Sequence, residues 1–330
     1  MVSGIIIAVI AVAYLFDFIS GFHDTANAIA TSVYTKALTV DKAILLATVM
    51  NLIGAMVSEK VAMTISKGLI NVSLAQHVIL AALFGAVVWD LITWWLAIPS
   101  SSSHALIGSL VGATMVSTMS TKTVIWSGVV YKVIIPLFMS PMIGFAIGYI
   151  VMKLVFHVFA DMPKNRVDRG FLKAQIFSSA FVAYSHGNND AQKTMGIITL
   201  ALISCGMLDP SSGVPLWVKI TCACAMALGT FTGGRRIMKT MGGGVTKLEP
   251  SSGFVAQTAS AVVIETMSQL GIPVSTTQVI TTSIMGAGSA KRATSVKWGI
   301  AKNILVAWFV TLPMAMALGG GFCYIIDLFV

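Results

Sequence analysis

"LAIPSSSSHALIGSLVGA" (residues 96–113) and "LGIPVSTTQVITTSIMGA" (270–287) are one pattern written twice. At a shift of 174, Pro99 meets Pro273, Ser101–Ser103 meet Ser275–Thr277, and Gly112–Ala113 meet Gly286–Ala287. Each time a proline closes one apolar run and a cluster of hydroxyl residues opens the next. Serine is a good N-cap, so a helix is expected to start inside each cluster. A helix start presents unpaired N–H groups and the positive end of the dipole, which suits an oxyanion. The hydroxyls of Ser101, Ser102, Ser103, Ser275, Thr276 and Thr277 add donors. Ser/Thr runs also serve merely to pack helices in lipid. Two runs at matching places in a duplicated chain favour the binding reading.

The duplication extends outward from this pair. "FISGFHDTANAIATSV" (18–33) resembles "YSHGNNDAQKTMGIIT" (184–199) at a shift of 166, which sets Gly21 on Gly187 and Asp24 on Asp190. "GAMVSEKVAMTISKG" (54–68) matches "GTFTGGRRIMKTMGG" (229–243) more faintly, and Trp126 and Pro141 meet Trp298 and Pro313 at a shift of 172. The order is kept and the shifts are nearly constant. The expected organisation is a first repeat over 1–160, a basic linker over 161–173 and a second repeat over 174–330.

Composition supplies the medium in which this folds. Of 330 residues, 56% are hydrophobic and only 10% charged, and the mean hydropathy is +0.88. A soluble domain carries about 25% charged residues. Apolar runs recur at 4–16, 43–57, 78–98, 124–156, 196–208, 216–231, 254–264 and 298–318. Several reach the ~20 residues a helix needs to cross a bilayer, and none alternates as a barrel strand would. The fold class is an all-α polytopic membrane protein. The first run is read as a span and not as a cleaved leader.

The net charge of +9 sits in short connections, so it reads as a topology signal and not as a nucleic-acid footprint. "DMPKNRVDRGFLK" (161–173) is basic and is placed in the cytoplasm. "GGRRIMK" (233–239) and "SAKRATSVK" (289–297) are basic where their counterparts are not, and "GMLDPSSGVP" (206–215) has no cation. Halves inserted upside down relative to each other account for this, with broken or re-entrant half-helices meeting at the midplane. Arg235, Arg236 and Lys239 are read as orientation charges. The four cysteines have no metal or redox spacing.

"SHGNNDAQKTMG" (185–196) is the polar exception inside a greasy stretch. Asp24 and Asp190 are repeat-related carboxylates in or beside apolar runs, where a carboxylate is costly and marks an ion pathway. Asn27, Asn188, Asn189 and Gln192 offer amide oxygens, which together with a carboxylate suit a hard cation. Gly21 and Gly187 are expected to let the helix break and free carbonyls as ligands. Asp24, Asn27, Asn189 and Asp190 are therefore the candidate cation ligands. Asn27, Gln192 and Lys193 join the hydroxyl clusters as candidate anion ligands. The plainer alternative is that Asp190 and Lys193, three apart on a helix, only pair with each other, but it leaves Asp24 unexplained. His23 and His104 lie beside this site, and histidine is the side chain able to carry a proton near neutral pH; for any single one of them a structural role is the plainer reading.

These stretches, with "FDFISGFHDTANAIATSV", "KLEPSSGFVAQTASA" and "GIPVSTTQ", resemble the inorganic phosphate transporter (PiT) family over nearly the whole chain, in its compact prokaryotic form. The resemblance implies a secondary transporter that moves inorganic phosphate with Na+ or H+. It places the family's acidic signatures on Asp24 and Asn27 and on Asn189, Asp190 and Gln192. Gln278, Arg235 and Met63 depart from the family's pattern and bear on the coupling ion. The implied activity is phosphate import in the inner (plasma) membrane, without a cofactor beyond the coupling ion. Sulfate is the alternative anion, and an uncoupled anion channel the alternative class. No enzyme is expected, because no nucleophile sits in a motif such as G-x-S-x-G. The expected partners are phosphate, membrane lipid and, as an oligomer, a homodimer; nucleic acid is not among them.

Overall fold

The computed structural model describes residues 4–71, 73–232 and 246–329, apart from the side chains of Ala26, Asn27 and Ile300. Arg235, Arg236 and Lys239, and with them most of the 229–243 repeat, lie outside the described residues. Helices follow in order: α1 (Gly4–Tyr34), α2 (Val40–Ala55), α3 (Lys60–Lys67), α4 (Gln76–Trp95) and α5 (Ser102–Thr118). Next come α6 (Trp126–Val158), which contains a π-helical turn at Val130–Ile134, and α7 (Lys164–Ser204). α8 (Leu216–Thr232), α9 (Pro250–Gln269), α10 (Thr276–Ser289) and α11 (Trp298–Asp327) complete the chain.

Among the described residues, four helices are long and apolar enough to cross a membrane: α1, α4, α6 and most of α11. α2 and α3 reach that length and apolarity only as a pair, bent by 64° at the break between them. Large apolar side chains face outward, and a set of polar side chains is buried beside the apolar core. Phe177 is 77% exposed, while His186, Asn188 and Asn189, on the same helix, are 0% exposed. This explains why α7 escapes a hydropathy reading. Its polar residues face protein, not lipid, so the bilayer never has to solvate them.

The sequence repeat has a structural counterpart. α4 and α5 start at Gln76 and Ser102, α9 and α10 at Pro250 and Thr276, an offset of 174 for both. Packing partners exchange between halves. α5 lies against α11 while α10 lies against α6, and α1 lies on α8 while α7 lies on α2. The indole N–H of Trp126 donates to Thr121 O at 2.9 Å, and that of Trp298 to Ala293 O at 2.9 Å.

One expectation fails. α1 and α7 run unbroken through Gly21 and Gly187. The glycines serve close helix crossing instead. A Cβ at Gly21 would lie 2.3 Å from Met226 O, and one at Gly187 2.3 Å from Asn51 O. The crossings are reciprocal, since a Cβ at Gly229 would meet Phe18 O at 2.0 Å and one at Gly54 would meet Tyr184 O at 2.0 Å. Small residues let backbones touch where lipid offers no hydrophobic drive. The breaks occur elsewhere, at the starts of α5 and α10. These helices have 17 and 14 residues, too short to span.

Candidate functional site

Both half-helices begin as the hydroxyl clusters dictate. Ser101 caps α5 by accepting from His104 N at 3.3 Å, and Ser275 caps α10 by accepting from Gln278 N at 3.3 Å. The two starts touch. Ser103 Oγ donates to Val274 O at 2.9 Å, and Asn189 Nδ2 donates to the same carbonyl at 2.8 Å. Ser101–Ser103 and Ser275–Thr277 are all buried, so two helix N-termini converge inside the protein beside α1 and α7.

The two signature acids lie at this convergence. Thr277 Oγ1 donates to Asp24 Oδ1 at 3.2 Å, and Thr276 Oγ1 to Asp190 Oδ2 at 3.1 Å. One hydroxyl cluster thus reaches both halves of the chain. His23 Nδ1 lies 2.8 Å from Asp24 Oδ1. His23 Nε2 is 3.4 Å from Thr93 Oγ1, which also accepts from Ser100 at 2.8 Å.

Asp190 is the more heavily engaged acid. Lys193 forms a buried ion pair with its Oδ1, and Asn189 Nδ2 donates to the same oxygen at 3.0 Å. His186 Nε2 lies 3.0 Å from Oδ2 but off the hydrogen-bonding direction. The plain i,i+3 pairing of Asp190 with Lys193 therefore forms, at the centre of a larger cluster. Asn189 Oδ1 and Ser102 Oγ are buried with no hydrogen-bond partner among the described residues.

Gln192 is not brought to this cluster. Its Oε1 accepts from Val61 N at 2.8 Å and Ala62 N at 3.3 Å, and its Nε2 donates to Asn188 O and, at 2.9 Å, to Asn188 Oδ1. The oxygen end of the amide is committed to the first turn of α3, whose N–H groups lack intrahelical partners, and the nitrogen end to Asn188 one turn back on α7. The side chain of Asn27 lies outside the described residues.

Several site residues have no counterpart in the sequence reading. Asn51 on α2 donates to Thr25 Oγ1 at 3.2 Å and Thr230 Oγ1 at 3.0 Å, and its Oδ1 is 3.1 Å from His186 Nδ1. Asp17 and Asp90, in α1 and α4, are both 0% exposed. The signal for the two acids was present, since each is a carboxylate inside an apolar run. Asn51 carries no such signal, because its role comes from the crossing of α2 on α7. Among the described residues no cluster of three or more His, Cys, Asp or Glu is suited to a metal ion.

The chain is similar to known proteins along its whole length. The model of the phosphate transporter family matches residues 20–319. A Mycobacterium bovis protein described as a probable low-affinity inorganic phosphate transporter is 47% identical over 322 residues, covering 97% of this chain and 77% of the relative. A Bacillus subtilis protein of the same description is 44% identical over 325 residues, covering 98% and 97%. A solved structure described as the sodium-dependent phosphate transporter superposes with a TM-score of 0.86 at 24% identity, covering 99% of this chain and all of the other; that likeness establishes the fold.

Proposed function

The chain belongs to the phosphate transporter family, and on that premise we propose that it imports inorganic phosphate together with a cation, Na+ or H+, by alternating access in the inner (plasma) membrane. That it is a membrane-embedded phosphate transporter, and not an enzyme, follows from the family. One observation carries the rest of the reading. Two half-helix starts from opposite halves converge in a buried site and share it with Asp24, Asp190 and Lys193.

In this reading the N–H groups and hydroxyls of Ser101–Ser103 and Ser275–Thr277 hold the anion, with Lys193 as a fixed positive charge and Asn27 beside it. Gln192 contributes indirectly, by fixing α3 against α7. Asp24, Asn27, Asn189 and Asp190 provide the oxygens toward the cation. Phosphate and two carboxylates repel, so a cation lowers the free energy of the anion's binding, and the reverse holds by linkage. Repeats 1–160 and 174–330, inserted with opposite orientations and joined by a cytoplasmic 161–173 linker, would exchange roles as the site opens to either face. Reciprocal packing of α5 on α11 and α10 on α6 supports that arrangement.

Uptake of labelled phosphate into proteoliposomes tests it. An imposed Na+ or pH gradient should drive accumulation, and excess sulfate should compete poorly. Equal competition by sulfate, or uptake indifferent to both gradients, overturns the proposal.

A further inference from the structure

The transport reading uses two of the four buried acids. Asp17 and Asp90 are as deeply buried, and among the described residues all four of their carboxylate oxygens lack a hydrogen-bond partner. Asp24 and Asp190 are, by contrast, held by hydroxyl, amide, imidazole or ammonium groups. A carboxylate without donors in a low-dielectric interior is among the costliest groups a protein can carry, and such a group in a membrane protein usually serves an ion.

Asp90 adjoins the anion site: its backbone carbonyl accepts from Thr93 Oγ1 at 3.1 Å, a hydroxyl 3.4 Å from His23 Nε2, and Ser102, the first residue of α5, lies near its carboxylate. Ser102 Oγ is itself buried and, among the described residues, without a hydrogen-bond partner. Asp17 lies instead by Thr194 on α7, on the side of the Asp190–Lys193 pair.

The charged groups acting on Asp90 are His23 and Asp24 from α1 and Lys193 from α7. α5 presents the Ser102 hydroxyl. α11 also packs on α4, but it brings Thr311 to Trp89 and Asp327 to His77, at 3.3 and 3.0 Å. His77 is 13 residues before Asp90, at the other end of α4. Lys193 is already paired with Asp190. Among the described residues, one carboxylate, one free hydroxyl oxygen and no cation of its own therefore remain next to the residues that would hold phosphate.

We propose that Asp90, with the Ser102 hydroxyl, is a further cation site, which takes up one monovalent cation, Na+ or a proton, with each phosphate carried. The inference rests on the transport reading above. A cation at Asp90 sits behind the start of α5 and offsets the anion in front of it, so occupancy of either stabilises the other.

The experiment uses the full chain in proteoliposomes, with two readouts. One is accumulation of labelled phosphate under a Na+ gradient at fixed pH, or under a pH gradient without Na+. The other is phosphate–phosphate exchange without any gradient. Asp90→Asn mimics the neutralised acid. Its exchange should survive, while accumulation under the gradient that drives the wild type falls by about tenfold or more. Asp90→Glu should restore part of the accumulation. The gradient that drives the wild type identifies the cation as Na+ or a proton. Undiminished accumulation by Asp90→Asn overturns the proposal. So does parallel loss of exchange and accumulation in both variants, which would mark Asp90 as structural. Absence of exchange in the wild type would remove the transport reading itself, and this inference with it.

Discussion

Thr276 and Thr277 are adjacent, yet their hydroxyls serve acids from different halves of the chain. Successive residues in the first turn of a helix point about 100° apart, so one N-terminus can hold two side chains brought by two other helices. A hydrogen bond to a charged group is worth about 1.5–3 kcal/mol. Thr276→Val should therefore weaken phosphate transport about tenfold or more, read as the apparent affinity in labelled uptake. Asp190 poses a different problem, because Lys193 depends on it. Breaking a buried pair from one side destabilises by about 3–5 kcal/mol, since the remaining charge has no partner. Asp190→Asn should lower the melting temperature of the detergent-solubilised protein and abolish net uptake. Adding Lys193→Met to it should recover much of the stability but none of the transport. If the double variant melts as low as the single one, the ion pair is not what Asp190 contributes to folding.

Among the elements, the crossings of α1 with α8 and of α7 with α2 leave no room for a side chain. Gly229→Leu would drive a side chain into the Phe18 carbonyl, where even a Cβ would stand 2.0 Å away. The expected outcome is loss of monodisperse protein on size-exclusion chromatography, whereas Gly170→Ala, with nothing within 4 Å, should behave as wild type. The start of α9 is a second element with a specific tie. Glu249 precedes the helix outside the apolar segments and pairs with Lys291 at 2.9 Å and Lys164 at 3.4 Å. This joins α9, the loop after α10 and the first turn of α7. Partial burial pushes the Glu249 carboxyl up, but Lys291 and then Lys164 outweigh it and hold the group below the ordinary glutamate value. A depressed folded value stabilises the tie above the unfolded carboxylate range, and that contribution is lost as pH falls through the folded value. Hydrogen exchange over residues 289–297 should rise on acidification below about pH 4. Glu249→Gln should show the raised exchange already at pH 7; identical protection in that variant would leave the tie without a role.

For the whole molecule, α7 sets the topology. It has 41 residues, about 60 Å at 1.5 Å per residue, against a hydrocarbon core of about 30 Å. In the proposed arrangement it crosses the bilayer, which would put its two ends on opposite faces. Single cysteines at Asn165 and Ser211, in a variant free of the four native thiols, should react with a membrane-impermeant maleimide from opposite sides, the first from the cytoplasm. Labelling of both from one side contradicts inverted halves. Reciprocal packing has a further consequence, since each half-helix is seated on the last long helix of the other half. Neither half has its own complete interior, so separately expressed halves should not yield folded protein unless they are produced together.

The amino-acid sequence by itself determined the medium and the element type, and it carries the motifs on which the proposed chemistry rests. Apolar runs of membrane length, two hydroxyl clusters after prolines and two acids in matching stretches are local or periodic features, and they hold whatever packs against them. It also determined where helices restart, because N-cap chemistry is read over four residues. What only the tertiary structure decided is which polar group meets which. Gly21 and Gly187 look like hinges in isolation, yet they are contact points, because another backbone lies where their Cβ atoms would be. Gln192 reads as a ligand, yet it is consumed by the free N–H groups of α3, 131 residues earlier in the chain. Asp17 and Asp90 are legible in the sequence as carboxylates inside apolar runs, but only the structure shows that, among the described residues, no hydrogen-bond donor reaches them. Each outcome depends on a helix distant in sequence, and the free energy of a polar group inside a membrane protein is set by that neighbour and not by the residues beside it in the chain.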